Sequence, residues 1–230
     1  MRIAVVGGRG KTGRAVAAAL VARGAEVVAT GRAEWDDLPS ALAGCDAAYV
    51  IAPNLHPDEA AYVETAVVAA REAGVARVVL HSVASPYVPQ MPHHLGKAAA
   101  EDVVRRSGLA WTILQPGAYL QNLDLTQTVR LPYRADAPFG FADLGEVAQA
   151  AAVVLTEPGH DGATYELASR RATVAELAAE AGVDVVVALP SGEPRDREEA
   201  WLWAMFAYYD AHGLPVGTLP LRALLDGRAR

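Results

Sequence analysis

"VVGGRGKTG", residues 5–13, decides the fold. Glycines set between an apolar strand and a helix leave backbone N–H groups free to bind phosphate oxygens at the helix start. Two loops share that design. A triphosphate loop ending in Gly10-Lys11-Thr12 needs its first glycine five residues before the second, and that position is Val5. The dinucleotide spacing Gly-x-x-Gly-x-x-Gly is complete in Gly7, Gly10 and Gly13, with Gly8, Arg9, Lys11 and Thr12 between them.

The flanking chain chooses between the two. Residues 2–6, 26–30, 46–52, 77–82 and 110–114 are short runs rich in Val, Ile and Ala and are expected to be buried strands. Helices are expected between them at 11–23, 36–43, 57–73 and 94–107, with Gly24, Gly74 and Gly108 as turn glycines at their ends. Repeated strand–helix–strand units imply a parallel sheet covered by helices, with ligands beyond the carboxyl ends of the strands. A triphosphate site also needs a Mg²⁺-holding aspartate at such an end. The strands close instead on Ala52-Pro53, His81-Ser82 and Leu114-Gln115, and Asp46 opens its strand at the wrong end. The loop therefore reads as a dinucleotide site.

The end of the second strand selects the dinucleotide. An NAD site carries Asp or Glu there, for the ribose hydroxyls. This chain has Thr30-Gly31-Arg32, and a guanidinium forks onto a 2′-phosphate that a carboxylate would repel. Arg9 and Lys11 offer further positive charge. NADP(H) is the expected cofactor.

Composition excludes several classes. The chain has 230 residues, 52% of them apolar, and a net charge of −7, unlike the basic footprint of a nucleic-acid binder. Charged residues interrupt every long apolar run, so no membrane span is expected, and the strand starting at Arg2 gives no expectation of a signal peptide. Cys45 stands alone and reads as a small buried hydrophobe. His56, His81, His93 and His94 lack metal-ligand spacing, so no metal is expected, and the expected compartment is the cytoplasm. The chain has eighteen arginines against two lysines, and both lysines, Lys11 and Lys97, fall in motifs.

After residue 115 the pattern changes. Residues 115–142 hold prolines, glycines and aromatics and are expected to form a substrate loop region. A helix is expected at 143–155 and a strand at 163–168, which closes a nucleotide-binding domain over residues 1–168. A small lobe would follow over 169–230, with helices at 173–181, 195–212 and 219–226 and a strand at 183–189. The expected class is thus α/β, a Rossmann-like doubly wound parallel sheet with a small C-terminal α/β substrate lobe. The helix carrying "WLWAMFAYYDAHG" has a wide apolar face. That face either packs on the sheet lobe, forms a lid over a flat aromatic substrate, or makes a homodimer surface.

The blocks "VVGGRGKTGRAVAAAL", "GCDAAYVIAP", "RVVLHSVAS", "GKAAAEDVVRRSGLAWTILQPGAYLQN" and "FADLGEVAQAAAVVLTEPGHDGATYELA" run through most of the chain. They resemble the NmrA-like branch of the atypical short-chain dehydrogenases. That branch includes NADPH-dependent quinone reductases, isoflavone-type reductases and non-catalytic redox sensors. The resemblance implies that Lys97 is the lysine of the Tyr-x-x-x-Lys pattern, hydrogen-bonded to the nicotinamide ribose. The tyrosine position holds His93. It has two readings, a proton donor titrating near neutral pH or a loop histidine in the turn "QMPHH". The same resemblance places Ala52, Pro53 and Asn54 beside the adenosine half. It puts His81 and Ser82 next to the cofactor, Pro116 and Gly117 along the nicotinamide, and Tyr119 and Asn122 facing the substrate. It implies an NADPH-dependent oxidoreductase reducing a small quinone, ketone or enone by hydride transfer. The alternative it leaves is a non-catalytic NADP(H) sensor working through a protein partner.

Overall fold

The structure is a computed structural model and describes residues 1–226. In chain order its first half runs β1 (Arg2–Val6), α1 (Lys11–Ala22), β2 (Glu26–Thr30), a 3₁₀ turn (Arg32–Asp37), α2 (Leu38–Leu42), β3 (Ala47–Val50), α3 (Glu59–Glu72), β4 (Arg77–His81), α4 (Pro92–Arg105) and β5 (Ala110–Pro116). Then follow β6 (Ala118–Tyr119), β7 (Val129–Leu131), β8 (Phe139–Ala142), α5 (Leu144–Thr156), β9 (Ala163–Leu167), β10 (Arg170–Ala172), α6 (Val174–Ala181), β11 (Val185–Val187), α7 (Arg197–His212) and α8 (Leu219–Leu225).

The main sheet is parallel throughout, in the order β2-β1-β3-β4-β5-β9. Side chains alternate across each strand, so one chain segment feeds two cores. Ile3 and Val5 join Tyr49, Val79 and Leu114 under α1, α5 and α8; Ala4 and Val6 join Val50, Leu80 and Ile113 under α2, α3 and α4. Full burial of each such Val, Leu or Ile side chain is worth roughly 1.5–3 kcal/mol. The sheet thus forms a rigid base. Because β2 lies on one side of β1 and β3 on the other, the order reverses at β1. A crevice opens there beyond the carboxyl ends of the strands.

Residues 115–142, expected to be a loop region, carry three short strands. β8 pairs with β6 in parallel and with β10 antiparallel, while β7 pairs with β11. At two to four residues each, these strands are too short to show a period in the sequence. Their core is aromatic: Tyr133, Phe139, Phe141 and Tyr209 pack with Met91 and Leu131. α8 returns to the main sheet, where it packs on α5 and β9 and Leu221 and Leu224 join the core. No helix among the described residues is long and apolar enough to cross a membrane.

Candidate active site

One cavity of about 1830 Å³ follows the crevice. Drug-sized ligands occupy roughly 300–1,000 Å³, so it has room for a dinucleotide and a second molecule together. It is lined by all the residues expected to form the site except Gly8.

The glycine loop forms one end. Gly7 has φ +82°, open to glycine alone at low cost, and a Cβ there would lie 2.6 Å from the Ile51 carbonyl oxygen. A Cβ on Gly13 would stand 2.3 Å from the Gly7 oxygen and 2.5 Å from Gly8 Cα. Gly10 differs, because a Cβ there meets nothing nearer than 3.4 Å and would occupy the open side of the loop. Gly8 is buried against Val5 and Ala29, so it packs the loop onto β2 and does not face the cavity as expected. Helices α3, α5 and α7 begin with an Asp side chain accepting a first-turn N–H. α1 begins at Gly10, with no side-chain cap and no acid in its first turn. Its first-turn N–H groups are left for an anion. Together with the bare side of Gly10, this cradle fits a pyrophosphate.

At the end of β2 the three expected cations separate. Arg9 is ion-paired with Glu34, whose second oxygen accepts the Gly31 N–H at 2.8 Å. These contacts, the backbone bond first, hold the Glu34 carboxyl below its usual range. Lys11 donates to the Gln121 carbonyl at 3.2 Å and ties the loop to the segment after β6. The positive charge expected of Arg9 is therefore shared with Glu34, whereas Lys11 is held only by a neutral carbonyl. Arg32 is exposed, lines the cavity and has no ion pair or hydrogen bond among the described residues. Nearby, Trp35 and Tyr62 stack at 4.1 Å and line the same cavity as Ala52, Pro53 and Asn54. Neither aromatic was picked out from the sequence.

Lys97 lies on α4, 8% exposed, with Nζ 2.6 Å from Oε1 of Glu59, which is 1% exposed at the start of α3. Burial pushes the Glu59 carboxyl up, and Lys97 opposes this. Sequence reading missed Glu59, which lies 38 positions from Lys97 in a different helix. His93 sits in the first turn of α4, so the turn reading of "QMPHH" is corrected. Its Nδ1 is buried and has no hydrogen-bond partner among the described residues. Burial, reinforced by Lys97, lowers its pKa to about 4, so it is neutral at pH 7 and does not titrate near neutrality as expected. His94 behaves alike, falling to about 4 by burial, with Nδ1 bonded to the Ser85 carbonyl at 3.2 Å.

Ser82 lines the cavity but is already engaged. Its hydroxyl donates to Oε1 of Glu101 at 2.6 Å, beside Gln115 Nε2 at 2.6 Å. Tyr87 and Arg105 donate to the other oxygen, which satisfies this fully buried carboxylate. His81, at the end of β4, stands between two tyrosines, with Tyr49 2.7 Å from Nδ1 and Tyr119 3.3 Å from Nε2. Burial lowers the His81 pKa to about 3. Pro116, Gly117, Tyr119 and Asn122 all line the cavity. A Cβ on Gly117 would meet the Gly140 oxygen at 2.1 Å, so that glycine lets the two parts of the chain close on each other.

The far wall is aromatic. Tyr133, Phe139 and Phe141 line it from the smaller sheets, and Leu202, Met205, Phe206 and Tyr209 from α7. The helix whose role was open thus packs on the lobe and walls the cavity with the same face. Among the described residues no three His, Cys, Asp or Glu side chains converge as metal ligands.

Residues 32–158 match the family described as NAD(P)H-binding. The chain is 34% identical over 169 residues to the NAD(P)H azoreductase of Xenophilus azovorans, a match covering 70% of this chain and 58% of that protein. It is 30% identical over 177 residues to quinone oxidoreductase 2 of Escherichia coli, covering 72% of this chain and 60% of that one. It therefore spans less than two thirds of the length of these relatives. Its fold matches that of the Citrobacter triphenylmethane reductase solved with NADP(H), with a TM-score of 0.79 at 22% identity over 98% of this chain and 95% of that one. The glycine cradle, the reversal of strand order beside it and the match over residues 32–158 agree: this chain belongs to the NAD(P)H-binding family.

Proposed function

We propose that the protein is an NADPH-dependent reductase acting on a flat, conjugated carbonyl compound such as a quinone, ketone or enone. One observation carries this reading: a single cavity is lined by the glycine loop, by Lys97 and by an aromatic wall suited to a planar substrate. The names of the two curated relatives, an azoreductase and a quinone oxidoreductase, support it. The nicotinamide cofactor, when bound, supplies the hydride. The protein supplies position and charge. Gly7, Gly10 and Gly13, with the open first turn of α1, would hold the pyrophosphate, and Trp35 and Tyr62 would flank the adenosine with Ala52–Asn54. Lys97 would donate to the nicotinamide ribose, its Nζ held in place by Glu59. Pro116 and Gly117 would border the nicotinamide, and the rings of Phe139, Phe141 and Phe206 would exclude water from the reacting carbon. Tyr119 and Asn122 would face the substrate.

The unpaired Arg32 is the reason to favour NADPH over NADH. Titration by tryptophan fluorescence is expected to show Arg32→Ala weakening NADPH about tenfold, the scale of one charge-assisted bond lost, with NADH unchanged. Equal affinity for both cofactors in the wild type would assign the ribose end to Glu34 instead. Lys97→Ala is expected to lower quinone-dependent NADPH oxidation at least tenfold. Because it also strands the Glu59 carboxylate, the measurement is repeated in a Glu59→Gln background. Turnover equal to that of the Glu59→Gln parent removes Lys97 from the mechanism.

A further inference from the structure

The proton that completes such a reduction has no obvious source, since the tyrosine of the Tyr-x-x-x-Lys pattern is replaced by His93 and that imidazole is neutral and buried. The hydrogen bonds around His81 supply one. Tyr49 is fully buried on β3, and among the described residues its hydroxyl has a single partner, Nδ1 of His81 at 2.7 Å. A buried O–H left without an acceptor is costly, so Tyr49 donates and Nδ1 accepts. His81 is neutral and carries one ring proton, which must then sit on Nε2. Nε2–H points at the Tyr119 oxygen, 3.3 Å away, with the two rings near parallel at 2°. Burial keeps the Tyr119 hydroxyl protonated, holding its pKa well above the ordinary tyrosine value. Tyr119 therefore accepts from His81. Its own hydrogen is not used by the protein, and the ring lines the cavity with Thr12 and His81.

We propose that Tyr119 is the proton donor of the reduction, with Tyr49 and His81 as positioning residues that fix the direction of its O–H. This rests on the reductase reading. As hydride adds to the electrophilic carbon of the substrate, the displaced π pair collects on the carbonyl oxygen. That oxygen takes the Tyr119 proton, so the phenolic O–H breaks as the product O–H forms. The tyrosinate left behind is held by Nε2–H of His81 until water in the cavity reprotonates it. Hydride and proton together account for the two electrons and two hydrogens the substrate gains. The chemistry selects substrates that place a carbonyl oxygen at Tyr119, whether a quinone or an enone.

Two measurements on the full chain test this. Long-range ¹H–¹⁵N NMR of the histidine rings, needing no cofactor or substrate, is expected to show His81 as the Nε2–H tautomer at pH 7. In Tyr49→Phe that preference is expected to weaken. An Nδ1–H tautomer in the wild type would reverse every bond in the chain and overturn the proposal. With menadione and NADPH, Tyr119→Phe is expected to lower kcat by at least tenfold while the NADPH Kd stays within twofold. A kcat equal to wild type, or a large rise in Kd, would overturn it, the second by making Tyr119 a cofactor ligand. A wild-type protein that oxidises NADPH with none of a panel of quinones would sink the reductase reading itself. Turnover that survives Tyr119→Phe sinks only this proposal.

Discussion

Gly13→Ala is expected to abolish NADPH binding, with at least a hundredfold rise in Kd and a lowered Tm. The added methyl would lie 2.3 Å from the Gly7 carbonyl oxygen, 2.5 Å from Gly8 Cα and 2.8 Å from the Gly8 carbonyl carbon. All three are backbone atoms of the loop itself, so no side chain can swing aside. To relieve the overlap, either α1 must lift from β1 or the loop must open. Each moves the first-turn N–H groups away from the pyrophosphate site, and lifting α1 also exposes Val16 and Leu20 in the main core. Gly10→Ala isolates the second part of the argument. Gly10 has φ −76° and ψ 173°, ordinary for any residue, and its Cβ would meet nothing nearer than 3.4 Å. That variant is expected to keep the wild-type Tm and lose affinity, because the methyl enters space meant for phosphate. Calorimetric melting and fluorescence titration of both variants check the pair. If Gly10→Ala bound NADPH normally, the phosphate would have to lie elsewhere than on this loop.

The contrast between these glycines shows what the sequence could reveal. Spacing identified Gly7, Gly10 and Gly13 because a strand, a tight turn and a helix start impose fixed offsets. For the same reason β1 and β2 were expected at the residues where they occur. Gly8 lies among them and was grouped with the ligand residues, yet its neighbour is Ala29, sixteen residues after Gly13. Contacts between distant segments escape local pattern. Glu59 was missed because nothing near it in the chain marks it, and its partner Lys97 arrives from another helix. Trp35 and Tyr62 form one stack from a 3₁₀ turn and α3, a pairing that no periodicity records. Arg9 was given a free charge because Glu34, 25 residues on, does not look like its neighbour until Gly31 turns the chain back. The histidines show a similar limit. Residue type gives an imidazole near neutrality, but burial and the proximity of Lys97 set the actual value, and both belong to the folded chain.

Those histidines lead to the second large effect, a steep loss of stability in mild acid. His81, His93 and His94 are held by burial at about 3, 4 and 4 in the folded protein, against roughly 6.5 in an unfolded chain. Well above pH 6.5 both states are neutral at these rings, so nothing depends on pH. As pH falls below that value the unfolded chain takes up protons the folded protein refuses, and stability drops until the folded values are reached. At pH 5 each ring contributes roughly 2 kcal/mol to the loss, or about 6 kcal/mol together, a large part of a typical 5–15 kcal/mol total. Burial lowers His160 as well, which adds to the loss, while Glu59 acts in the opposite sense, since burial raises its carboxyl and protonation favours the folded state. The carboxyls held low, Glu34, Asp124, Glu180 and Glu199, act in the same sense as the histidines, but their loss starts only near the unfolded carboxyl value of roughly 4 and falls chiefly below pH 5. Urea unfolding at half-unit steps from pH 7.5 to 5 is expected to give a stability that is level at first and then falls at nearly three protons per molecule. In His94→Gln the slope is expected to drop by about one proton, since the amide can still meet the Ser85 carbonyl 3.2 Å from the ring but cannot titrate. Stability that stays level down to pH 5 would mean these imidazoles take up protons within the folded protein. His81 would then be charged in mild acid, and the direction of the Tyr119 hydrogen would be fixed only above that titration.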